Sequence, residues 1–597
     1  MGFFYNQSRE QAAKRKTAGV SKHVPIELMN KMGCKACPLD KAELKNPKAQ
    51  PEGVARPLFY ILGGNTNAGM GGQASDLIRS QFDSTVWRKD VRVSNTVRCY
   101  VGPDRKPSMP EIECCRGYGV QDIEDSKPLV VVGAGNEALL WATNISGGSN
   151  TWRGRLIATK IGDHRCWYLP ILDPELVINK KGKYGKSEHE KIFEHDLQEM
   201  FRTLPENPPH IHEAPYDHGI EIITGQQGAV DFAALEDSLN RYLKEPKVGL
   251  DLETTGLRPY GTGATIHMAA IGTFNHTTAF SLNHPEGWSD LYKRKVGYLL
   301  GEFLLQSGRK IAHNLSFEME WLSFYYGERL LRMTEWEDTF AMAHTLNETP
   351  GTNNLDALCR EHFGFFLKAQ SPIDLKHKLI TDYPITVALR YNGLDTKWTH
   401  LLESTLRPKI ESNKKYMAEY ERKVRLAPTL VLTQLKGVPV DDTYALDMKQ
   451  TLDKEIQSIA GKITRCPEVI AYTKKFGLFE PTAPEQVLKL MRDICKRPEI
   501  KKEGGGETTD EGALSNITAD EVPSASLILE HRATSKLTST YLDPLVSRKL
   551  IGADGCLHTS YSSMIAVTGR LASSDPNLQN FPKRKRREVR GVIAAPA

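Results

Sequence analysis

Short apolar runs alternate with helix-like segments over two long stretches of the chain. In the first stretch, from about residue 57 to 201, the runs are LFYILGG, PLVVVGAG and CWYLPIL. The second stretch, from about 247 to 405, opens on KVGLDLETTGL. Apolar runs of this length between helices are typical of buried parallel strands. Beyond residue 405 the pattern becomes that of charged amphipathic helices, as in MAEYERKVRLAPTLVLTQL. We predict two α/β domains and a mostly helical third region.

Two interruptions of the apolar pattern indicate where the chain divides. The stretch LPENPPHIHEAPYDHG (204–219) is rich in Pro and His and has no apolar periodicity, which predicts a linker. The stretch KKEGGGETTDEG (501–512) predicts a flexible excursion within a later domain. We therefore expect domains at 1–203, 220–405 and 406–597.

Composition restricts the class of protein only mildly. The 597 residues leave room for three or four domains, and 40% hydrophobic and 25% charged residues are ordinary for a soluble globular protein. The net charge of +5 permits a polyanionic partner without requiring one. No stretch approaches 18 uninterrupted apolar residues, and the N-terminus lacks a signal-like apolar segment, so we expect no membrane association. We predict a cytoplasmic protein, located in the host cytoplasm if its source is a virus.

Clustered cysteines point to a metal site in the first domain. Cys34-Lys-Ala-Cys37 is followed by RCYVGPDRKPSMPEIECC, which contains Cys99, Cys114 and Cys115. In a cytoplasmic protein such cysteines favour metal binding over disulfides. The arrangement resembles the iron–sulfur uracil-DNA glycosylases of families four and five, whose C-x2-C pair precedes an N-x-x-x-C, R-x-P and E-I-x-x-C frame. That frame is filled here by Asn95, Cys99, Arg105, Pro107, Glu111, Ile112 and Cys115.

The resemblance covers roughly residues 30–200 and implies an α/β glycosylase-like domain. It implies that a [4Fe–4S] cluster is held by Cys34, Cys37, Cys99 and Cys115, with Cys114 as a spare thiol. Four thiolates also suit Zn²⁺, which is the less favoured alternative.

Glycosylase chemistry is expected to be lost. The family's water-positioning loop has the form G-E-x-P-G, whereas GGNTNAGMGGQ here lacks the acid and the proline. The family's H-P-S motif is replaced by Asp173-Pro174-Glu175. An Asp would repel the uracil anion that the family's His stabilises. Both departures favour a non-catalytic relative with a structural or DNA-binding role.

An ordered set of acidic residues marks the second domain. Asp251 and Glu253 stand two apart at the end of an apolar strand, so strand alternation places both carboxylates on one face. Glu318 follows in AHNLSFEMEWL, on a helix predicted to open at Asn314, and Tyr391-Asn-Gly-Leu-Asp395 completes the set. The set resembles the DEDD-type 3′–5′ exonucleases of the Tyr subclass, the ribonuclease H-like proofreading domain of family A DNA polymerases.

This resemblance implies roles for each acidic residue. Two Mg²⁺ or Mn²⁺ ions would be held by Asp251, Glu253, Glu318 and Asp395, and Tyr391 would orient the attacking water. Two cations stabilise the charge on the entering and leaving oxygens, and carboxylate oxygens suit Mg²⁺. The motif that contains Glu318 usually ends in Asp, and the extra methylene moves the carboxylate by about 1.5 Å. We expect activity to survive this change, and we expect Asp338 in DTFAMAHTLNE to be structural.

The third region resembles the thumb and the start of the palm of family A DNA polymerases. The resemblance rests on AEYERKVRLAPTLVLTQLKGVPVD, FEPTAPEQVLKLM, LILEHRATSKLTSTYLDPL and LHTSYSSMIAVTGRLASSDPNLQNFP. It implies salt-dependent, largely sequence-independent binding of a DNA primer-template. The implied contact residues are Arg532, Lys536, Arg570, Asn577, Gln579, Arg587 and Arg590.

Motifs of the family's polymerase site are missing from the sequence. In the family, V-R-x-x-I-x-A-P leads to a D-Y-S-x-I-E-like motif with the first metal-binding Asp, whereas this chain stops at Ala597. The fingers helix and the H-D-E motif are also absent. We expect a DNA replication protein, the N-terminal part of a split or truncated phage-like polymerase, completed by a second polypeptide that pairs with residues 589–593. The alternatives are an autonomous 3′–5′ DNA exonuclease and a non-catalytic DNA-binding subunit.

Overall fold

The chain divides into two compact units. In the computed structural model, the described residues are 33–40, 49–64, 73–83, 85–101, 105–145, 148–179, 187–497, 508–518, 520–566, 568–581 and 586–593. The first unit comprises Met1–Leu257 and Thr265–Pro428, and the second comprises Arg258–Ala264 and Thr429–Ala597. Among the described helices, none has the length and apolar character needed to cross a membrane.

The first unit contains a mixed six-stranded sheet with the spatial order β1-β3-β2-β4-β6-β5. Its strands are β1 (Glu52–Gly53), β2 (Phe59–Gly63), β3 (Val91–Asn95), β4 (Val130–Ala134), β5 (Ile157–Ile161) and β6 (His164–Ile171). β2, β3, β4 and β6 are parallel neighbours, whereas β1 and β5 pair antiparallel at the two edges. The three apolar runs of the first stretch are β2, β4 and β6, so the prediction of adjacent parallel strands is confirmed.

Both faces of this sheet are buried beneath helices. Alternate residues of β2 enter two separate hydrophobic clusters, Tyr60 and Leu62 on one face and Phe59 and Ile61 on the other. This period of two is that of a strand covered on both sides. The helices of this part are α1 (Gln73–Asp83), α2 (Met109–Ser126), α3 (Gly135–Thr143), α4 (Ser149–Trp152), α5 (Pro174–Asn179) and α6 (Glu188–Arg202).

A second six-stranded sheet of the first unit has the order β12-β11-β8-β9-β10-β7. Its strands are β7 (Ile220–Ile223), β8 (Lys247–Thr254), β9 (Ile266–Gly272), β10 (Thr277–Ser281), β11 (Arg309–Ala312) and β12 (Trp336–Asp338). β8, β9 and β10 run antiparallel, and β11 and β12 extend the sheet in parallel from β8. The predicted second α/β domain is therefore present, with a mixed rather than an all-parallel sheet.

Eight helices accompany the second sheet in the described residues. They are α7 (Ala229–Tyr242), α8 (Asp290–Gln306), α9 (Ser316–Tyr326), α10 (Arg329–Met333), α11 (Thr339–Leu346), α12 (Leu355–Phe363), α13 (Ile385–Glu411) and α14 (Lys414–Lys436). The 27-residue helix α13 packs across β7, β8, β9, β10 and β11. It continues past residue 405, where the sequence predicted a domain limit. The unit boundary after Pro428 falls within α14.

The predicted linker 204–219 contains no helix or strand. It is nevertheless packed against the first unit, because the side chain of Ile211 is buried and the ring of His212 lies 5.1 Å from that of Trp398. The ring of Tyr216 stacks on Phe365 at 4.0 Å. This segment is therefore an ordered connection rather than a free tether.

The second unit is mostly helical, as the sequence predicted. Its helices are α15 (Asp442–Ile463), α16 (Pro467–Phe476), α17 (Pro484–Lys489), α18 (Glu511–Leu514), α19 (Pro523–Leu537) and α20 (Asp543–Val546), with π-helical turns at Leu490–Ile494 and Thr538–Leu542. Two short antiparallel pairs join β13 (Val438–Pro439) to β14 (Cys556–Leu557) and β15 (Ser560–Ser562) to β16 (Ala572–Ser574). Across both units, 3₁₀ turns lie at Cys34–Ala36, Lys368–Gln370, Ile380–Asp382, Leu578–Asn580 and Arg587–Val592.

The segment 589–593 is not an open edge. Val589 and Val592 are fully buried in a cluster with Leu557. The backbone N–H of Asp441 donates to the Val592 carbonyl at 2.9 Å, and Ile593 forms a β-bridge of its own. The expectation that this segment awaits pairing with a second polypeptide is wrong, because its apolar side chains are already covered within the second unit.

Two glycines of helix α8 give a matched test of packing against Tyr326. A Cβ at Gly297 would lie 3.9 Å from the Tyr326 hydroxyl, whereas a Cβ at Gly301 would lie 2.9 Å from ring carbon Cδ1. Gly297→Ala should raise the free energy of unfolding by up to about 1 kcal/mol through helix propensity. Gly301→Ala should lower it by about 1–3 kcal/mol through overpacking. Urea midpoints followed by circular dichroism check both, and equal effects would contradict the packing.

Candidate active site

Strand β8 holds the first two carboxylates of the candidate site. Asp251 and Glu253 are two residues apart, so their side chains share one face of the strand. The alternate residues Leu250 and Leu252 are buried on the opposite face. β8 is hydrogen-bonded to β11 on one side and to β9 on the other. The backbone that carries Asp251 and Glu253 is therefore fixed inside the sheet.

Helix α13 brings the second part of the site to β8. Tyr391 and Asp395 are four residues apart, about one helical turn, and so lie on the same side of the helix. The side-chain amide of Asn392 donates to Asp251 Oδ2 at 2.6 Å. The helix can approach β8 closely because Gly249 has no side chain. A Cβ at this position would lie only 2.9 Å from the Thr396 carbonyl oxygen.

Three of the four predicted metal ligands converge. Carboxylate oxygens of Asp251, Glu253 and Asp395 lie within 4.8 Å of one another, and no other group in the described part of the chain gathers three possible ligands this closely. Asp395 Oδ1 is buried without a hydrogen-bond partner. A cation would satisfy this oxygen, and an all-carboxylate set suits Mg²⁺ or Mn²⁺. We call Asp251, Glu253 and Asp395 the carboxylate trio.

Glu318 lies outside the trio. Its side chain on α9 is 2% exposed, and its Oε2 is buried without a hydrogen-bond partner. Burial raises the pKa of Glu318 well above its usual range, and the nearby Asp338 and Glu253 carboxylates add to that effect. The structure therefore places Glu318 near the trio without including it among the tightly gathered ligand atoms.

Burial and mutual repulsion control the protonation of the trio. Burial raises the pKa of Glu253 to about 8, with a further contribution from Asp395. Burial raises the pKa of Asp395 to about 6, against the opposing effect of the Lys368 cation. The pKa of Asp251 is raised well above its usual range by burial and then by the neighbouring carboxylates. Without a cation the trio therefore retains protons at neutral pH.

Lys368 belongs to this site and was missed from the sequence. Its Nζ donates to the Tyr391 hydroxyl at 2.6 Å. The residue lies in the 3₁₀ turn Lys368–Gln370, between helices α12 and α13. Nothing in FFLKAQS, by spacing or composition, connects this lysine to a tyrosine on a later helix.

Asp338 fixes the start of the helix that carries Glu318. Its carboxylate accepts hydrogen bonds from the backbone N–H groups of Asn314 and Leu315 at 3.0 and 3.3 Å, and it also caps α11. Helix α9 begins at Ser316 rather than at Asn314, because Asn314 has a φ of +73° that no helix interior accommodates. Asp338 thus has a structural position.

The predicted cluster ligands come together from three segments. Burial raises the pKa of the Cys37 thiol, and Cys99 and Cys34 contribute. Burial raises the pKa of Cys115 to about 11, again with contributions from Cys99 and Cys34. The spare thiol Cys114 is also close to Cys37. No three thiol sulfurs among the described cysteines lie within 4.8 Å of one another.

An ion-pair network involves Asp173, one of the residues that the resemblance to glycosylases singled out. Lys106 Nζ lies 3.1 Å from Glu137 Oε1 and 3.3 Å from Asp173 Oδ2, so the Asp173 carboxylate is paired with a cation. Arg105 binds Glu111 through two hydrogen bonds of 2.7 and 2.8 Å at the start of α2. The loop residues 65–72 of GGNTNAGMGGQ lie outside the described residues.

Most predicted DNA contacts in the second unit are exposed. The exposed residues among them are Lys536, Arg570, Asn577, Gln579, Arg587 and Arg590. The side chain of Asn577 accepts from the Gln579 backbone N–H at 3.0 Å, and Gln579 Nε2 donates to the Leu571 carbonyl at 2.8 Å. Arg590 Nη2 donates to the Phe581 carbonyl at 3.3 Å. Asn577, Gln579 and Arg590 are therefore held by local hydrogen bonds while they face solvent.

Two arginines are committed to contacts within the second unit. Arg532 donates to the carbonyls of Pro481 and Thr509, both at 2.7 Å, and burial lowers its pKa. Arg586 forms a two-bond ion pair with Glu455, one bond measuring 2.9 Å. The phosphate contact predicted for Arg532 does not agree with this placement, because its guanidinium links two backbone segments.

Two parts of the chain match known protein families. Residues 227–411 match the family described as 3′-5′ exonuclease, and residues 444–597 match DNA polymerase family A. The trio, Glu318, Tyr391 and Lys368 all lie within the first match. The chain is therefore similar to family A DNA polymerases that contain a 3′–5′ exonuclease domain.

Individual relatives agree with this class. The chain is 30% identical over 349 residues to DNA polymerase I of Synechocystis sp., covering 56% of this chain and 33% of the relative. It is 28% identical over 331 residues to the DNA polymerase of Escherichia phage T5, covering 52% and 38%. A solved POL domain of Pol1 from M. smegmatis, in complex with DNA primer-template and dNTP, aligns at 19% identity and a TM-score of 0.45 over 60% of this chain and 57% of that one. The chain thus spans about a third of the length of the Synechocystis and phage T5 relatives.

The raised carboxyl pKa values predict pH-dependent stabilisation by metal. In the metal-free chain, the trio binds protons more tightly when folded than when unfolded, so stability should fall as pH rises from about 4 to about 8. A cation that replaces these protons should therefore raise the melting temperature more at pH 8 than at pH 5.5. Scanning calorimetry with and without Mn²⁺ measures this. An Asp251→Asn/Glu253→Gln variant is the control, and an equal Mn²⁺ response in that variant would contradict the site.

Proposed function

We propose that this chain is a metal-dependent 3′–5′ DNA exonuclease that proofreads for a family A DNA polymerase. The observation that carries the proposal is the carboxylate trio, with Tyr391 one helical turn before Asp395, inside the region that matches the exonuclease family. The raised pKa of the trio's carboxyl groups supports a site at which a bound cation replaces protons.

Each side chain of the site has a distinct role in this proposal. Bound Mg²⁺ or Mn²⁺ would supply positive charge at the entering and leaving oxygens of the phosphodiester. Asp251, Glu253 and Asp395 would hold the cations through their carboxylates, with Glu318 as the proposed fourth ligand. The Tyr391 hydroxyl would orient the attacking water. Burial keeps this hydroxyl protonated, because it raises the pKa of Tyr391 well above its usual range.

The second unit would hold the primer-template. Lys536, Arg570, Arg587 and Arg590 are exposed cations, and such groups bind phosphates with a strong dependence on salt. Arg532 is left out of this proposed contact because its guanidinium is committed to two backbone carbonyls.

Nucleotide addition by residues 1–597 alone is not proposed. A D-Y-S-x-I-E-like motif and an H-D-E motif do not occur in the sequence, so the carboxylates that two-metal nucleotidyl transfer requires are missing from these residues. We propose that a polymerase segment carrying these motifs, in the same or in a second polypeptide, supplies them. Addition of such a polypeptide should restore synthesis on a primer-template.

The exonuclease assay tests the central proposal. With Mg²⁺ or Mn²⁺, the purified chain should remove nucleotides from single-stranded 3′ ends, and Asp251→Ala/Glu253→Ala should abolish this because the trio loses two of its three carboxylates. Glu236→Ala/Asp237→Ala, which removes two exposed acids of α7, is the matched control and should remain active. Glu318→Asp should retain or increase the rate. An inactive parent chain would favour a non-catalytic DNA-binding subunit instead.

We further propose that residues 1–203 form a cluster-bearing structural domain. Cys34, Cys37, Cys99 and Cys115 converge from separate segments, which supports a shared metal site. Four thiolates suit either a [4Fe–4S] cluster or Zn²⁺, and we propose the cluster because these cysteines follow the C-x2-C and C-x15-C arrangement of the iron–sulfur glycosylases.

The remaining contacts of this domain support a structural role. The Asp173 carboxylate, which stands where the resemblance predicts the family's histidine, is paired with Lys106 Nζ at 3.3 Å. Arg155 binds Glu361 of α12 at 2.5 Å, and Arg360 of α12 donates to the Ala158 carbonyl at 2.6 Å. These buried, charge-assisted bonds join the first sheet to the exonuclease part of the same unit.

Iron analysis tests the proposed cluster. Chain prepared without oxygen should be brown and contain about four irons, and Cys37→Ser/Cys115→Ser should lose them because two ligands are removed. Cys114→Ser is the matched control and should keep the cluster. Stoichiometric zinc without visible absorption would overturn the assignment. Uracil-containing DNA should stay intact, and efficient uracil release would contradict a non-catalytic domain.

A further inference from the structure

The tyrosine of the candidate site has a cationic neighbour with a defined geometry. Lys368 Nζ donates to Tyr391 Oη at 2.6 Å, and the same ammonium lies 5.2 Å from the centre of the tyrosine ring. An ammonium has only hydrogens to offer, so the phenol oxygen must accept this bond. The single phenolic proton is therefore directed away from Lys368.

Lys368 is held in place by its backbone. The backbone N–H of Lys368 donates to Asp356 Oδ1 at 2.8 Å, and Leu367 beside it is 1% exposed. Asp356 lies in the first turn of α12, whose start is capped by the side chain of Asn354. The backbone of the turn that carries Lys368 is thus attached to helix α12. The hydrogen bond to Tyr391 then needs to order only the Lys368 side chain.

The surroundings of Tyr391 leave few acceptors for its proton. Tyr391 is 4% exposed, and the carboxylates that act on its hydroxyl are, in decreasing order, Asp395, Glu253, Asp251 and Asp356, of which the first three form the trio. Because Lys368 occupies one side of the oxygen, the proton must point elsewhere, and the strongest of these charges belong to the trio. A water held at the trio would be the natural acceptor.

We propose that Lys368 is a positioning residue for Tyr391, which fixes the tyrosine hydroxyl so that its proton is presented to the water bound at the carboxylate trio. This inference rests on the proposed exonuclease function. It differs from a simple counter-ion role, in which the ammonium would act on the trio directly and independently of the tyrosine.

Single-turnover cleavage of a labelled single-stranded DNA at saturating Mg²⁺ tests the inference. Lys368→Met should lower the rate constant by about 10–100-fold, as expected when a supporting partner of a catalytic group is removed, with little change in DNA affinity. Lys368→Arg should recover most of the rate because it restores a cationic donor. Tyr391→Phe should cause a comparable loss, and the double variant should lose no more than the larger single loss, because the lysine acts through the tyrosine.

Lys378→Met is the matched control. Lys378 also lies over a tyrosine ring, 5.4 Å from the centre of Tyr383, but it is exposed and none of the trio takes part in that contact. This variant should keep the parent rate, and melting temperatures should show that every variant is folded.

The outcomes separate the inference from the proposed function. An active parent with an unimpaired Lys368→Met overturns the positioning role alone. Multiplicative losses in the double variant overturn it too, in favour of a direct charge effect. A parent without exonuclease activity overturns the proposed function and this inference with it.

Discussion

The repulsion among three closely gathered carboxylates is the constraint on which the candidate site of the first unit depends. Asp251, Glu253 and Asp395 bring like charges within 4.8 Å in a poorly solvated place, which raises the pKa of each. Side chains free to move would separate. They cannot separate here, because β8 is paired on both sides and the long helix α13 is packed across the sheet at the close approach that Gly249 permits. The rigid strand β8 and helix α13 thus hold the three carboxylates together against their mutual repulsion.

Helix α12 extends this frame to the N-terminal sheet. Through Asp356 it holds the turn of Lys368, whose cation opposes the repulsion within the trio. Through Arg360 and Glu361 it bonds to Thr143, Ala158 and Arg155 of the N-terminal part. One short helix therefore links the support of the candidate site to the N-terminal sheet, which gives that sheet a physical role in holding the site.

What could be predicted from the sequence was local or periodic. The runs LFYILGG and PLVVVGAG announce buried strands by composition, and the two-residue spacing of Asp251 and Glu253 places them on one face. The four-residue spacing of Tyr391 and Asp395 does the same for a helix. Burial and long-range contacts could not be predicted from the sequence. Arg532 matches the thumb motif, yet its guanidinium bonds to two backbone carbonyls. Lys368 contacts Tyr391 only because the fold brings the two residues together.

The same limit applies to the C-terminal segment. The apolar residues of 589–593 were expected to be uncovered, but Val589 and Val592 pack inside the second unit, and only the tertiary structure shows this. The basic residues of this unit also differ in their exposure to solvent. Arg586 is paired with Glu455, whereas Arg587 and Lys536 face solvent, so basic residues of the same unit differ in their capacity to bind phosphate.

Glu318 stands where the resemblance to the exonuclease family predicts Asp. The surrounding structure limits how its longer side chain can be accommodated. A shift of α9 could compensate for the extra methylene, but the helix start is fixed by Asp338, which accepts from the N–H groups of Asn314 and Leu315. The longer carboxylate must therefore be accommodated by rotation of its own side chain. Its buried Oε2 has no hydrogen-bond partner, so rotation toward a cation at the trio would break no bond of that oxygen. The structural cost of Glu in place of Asp is thus confined to one side chain, because the backbone on which it stands is fixed independently.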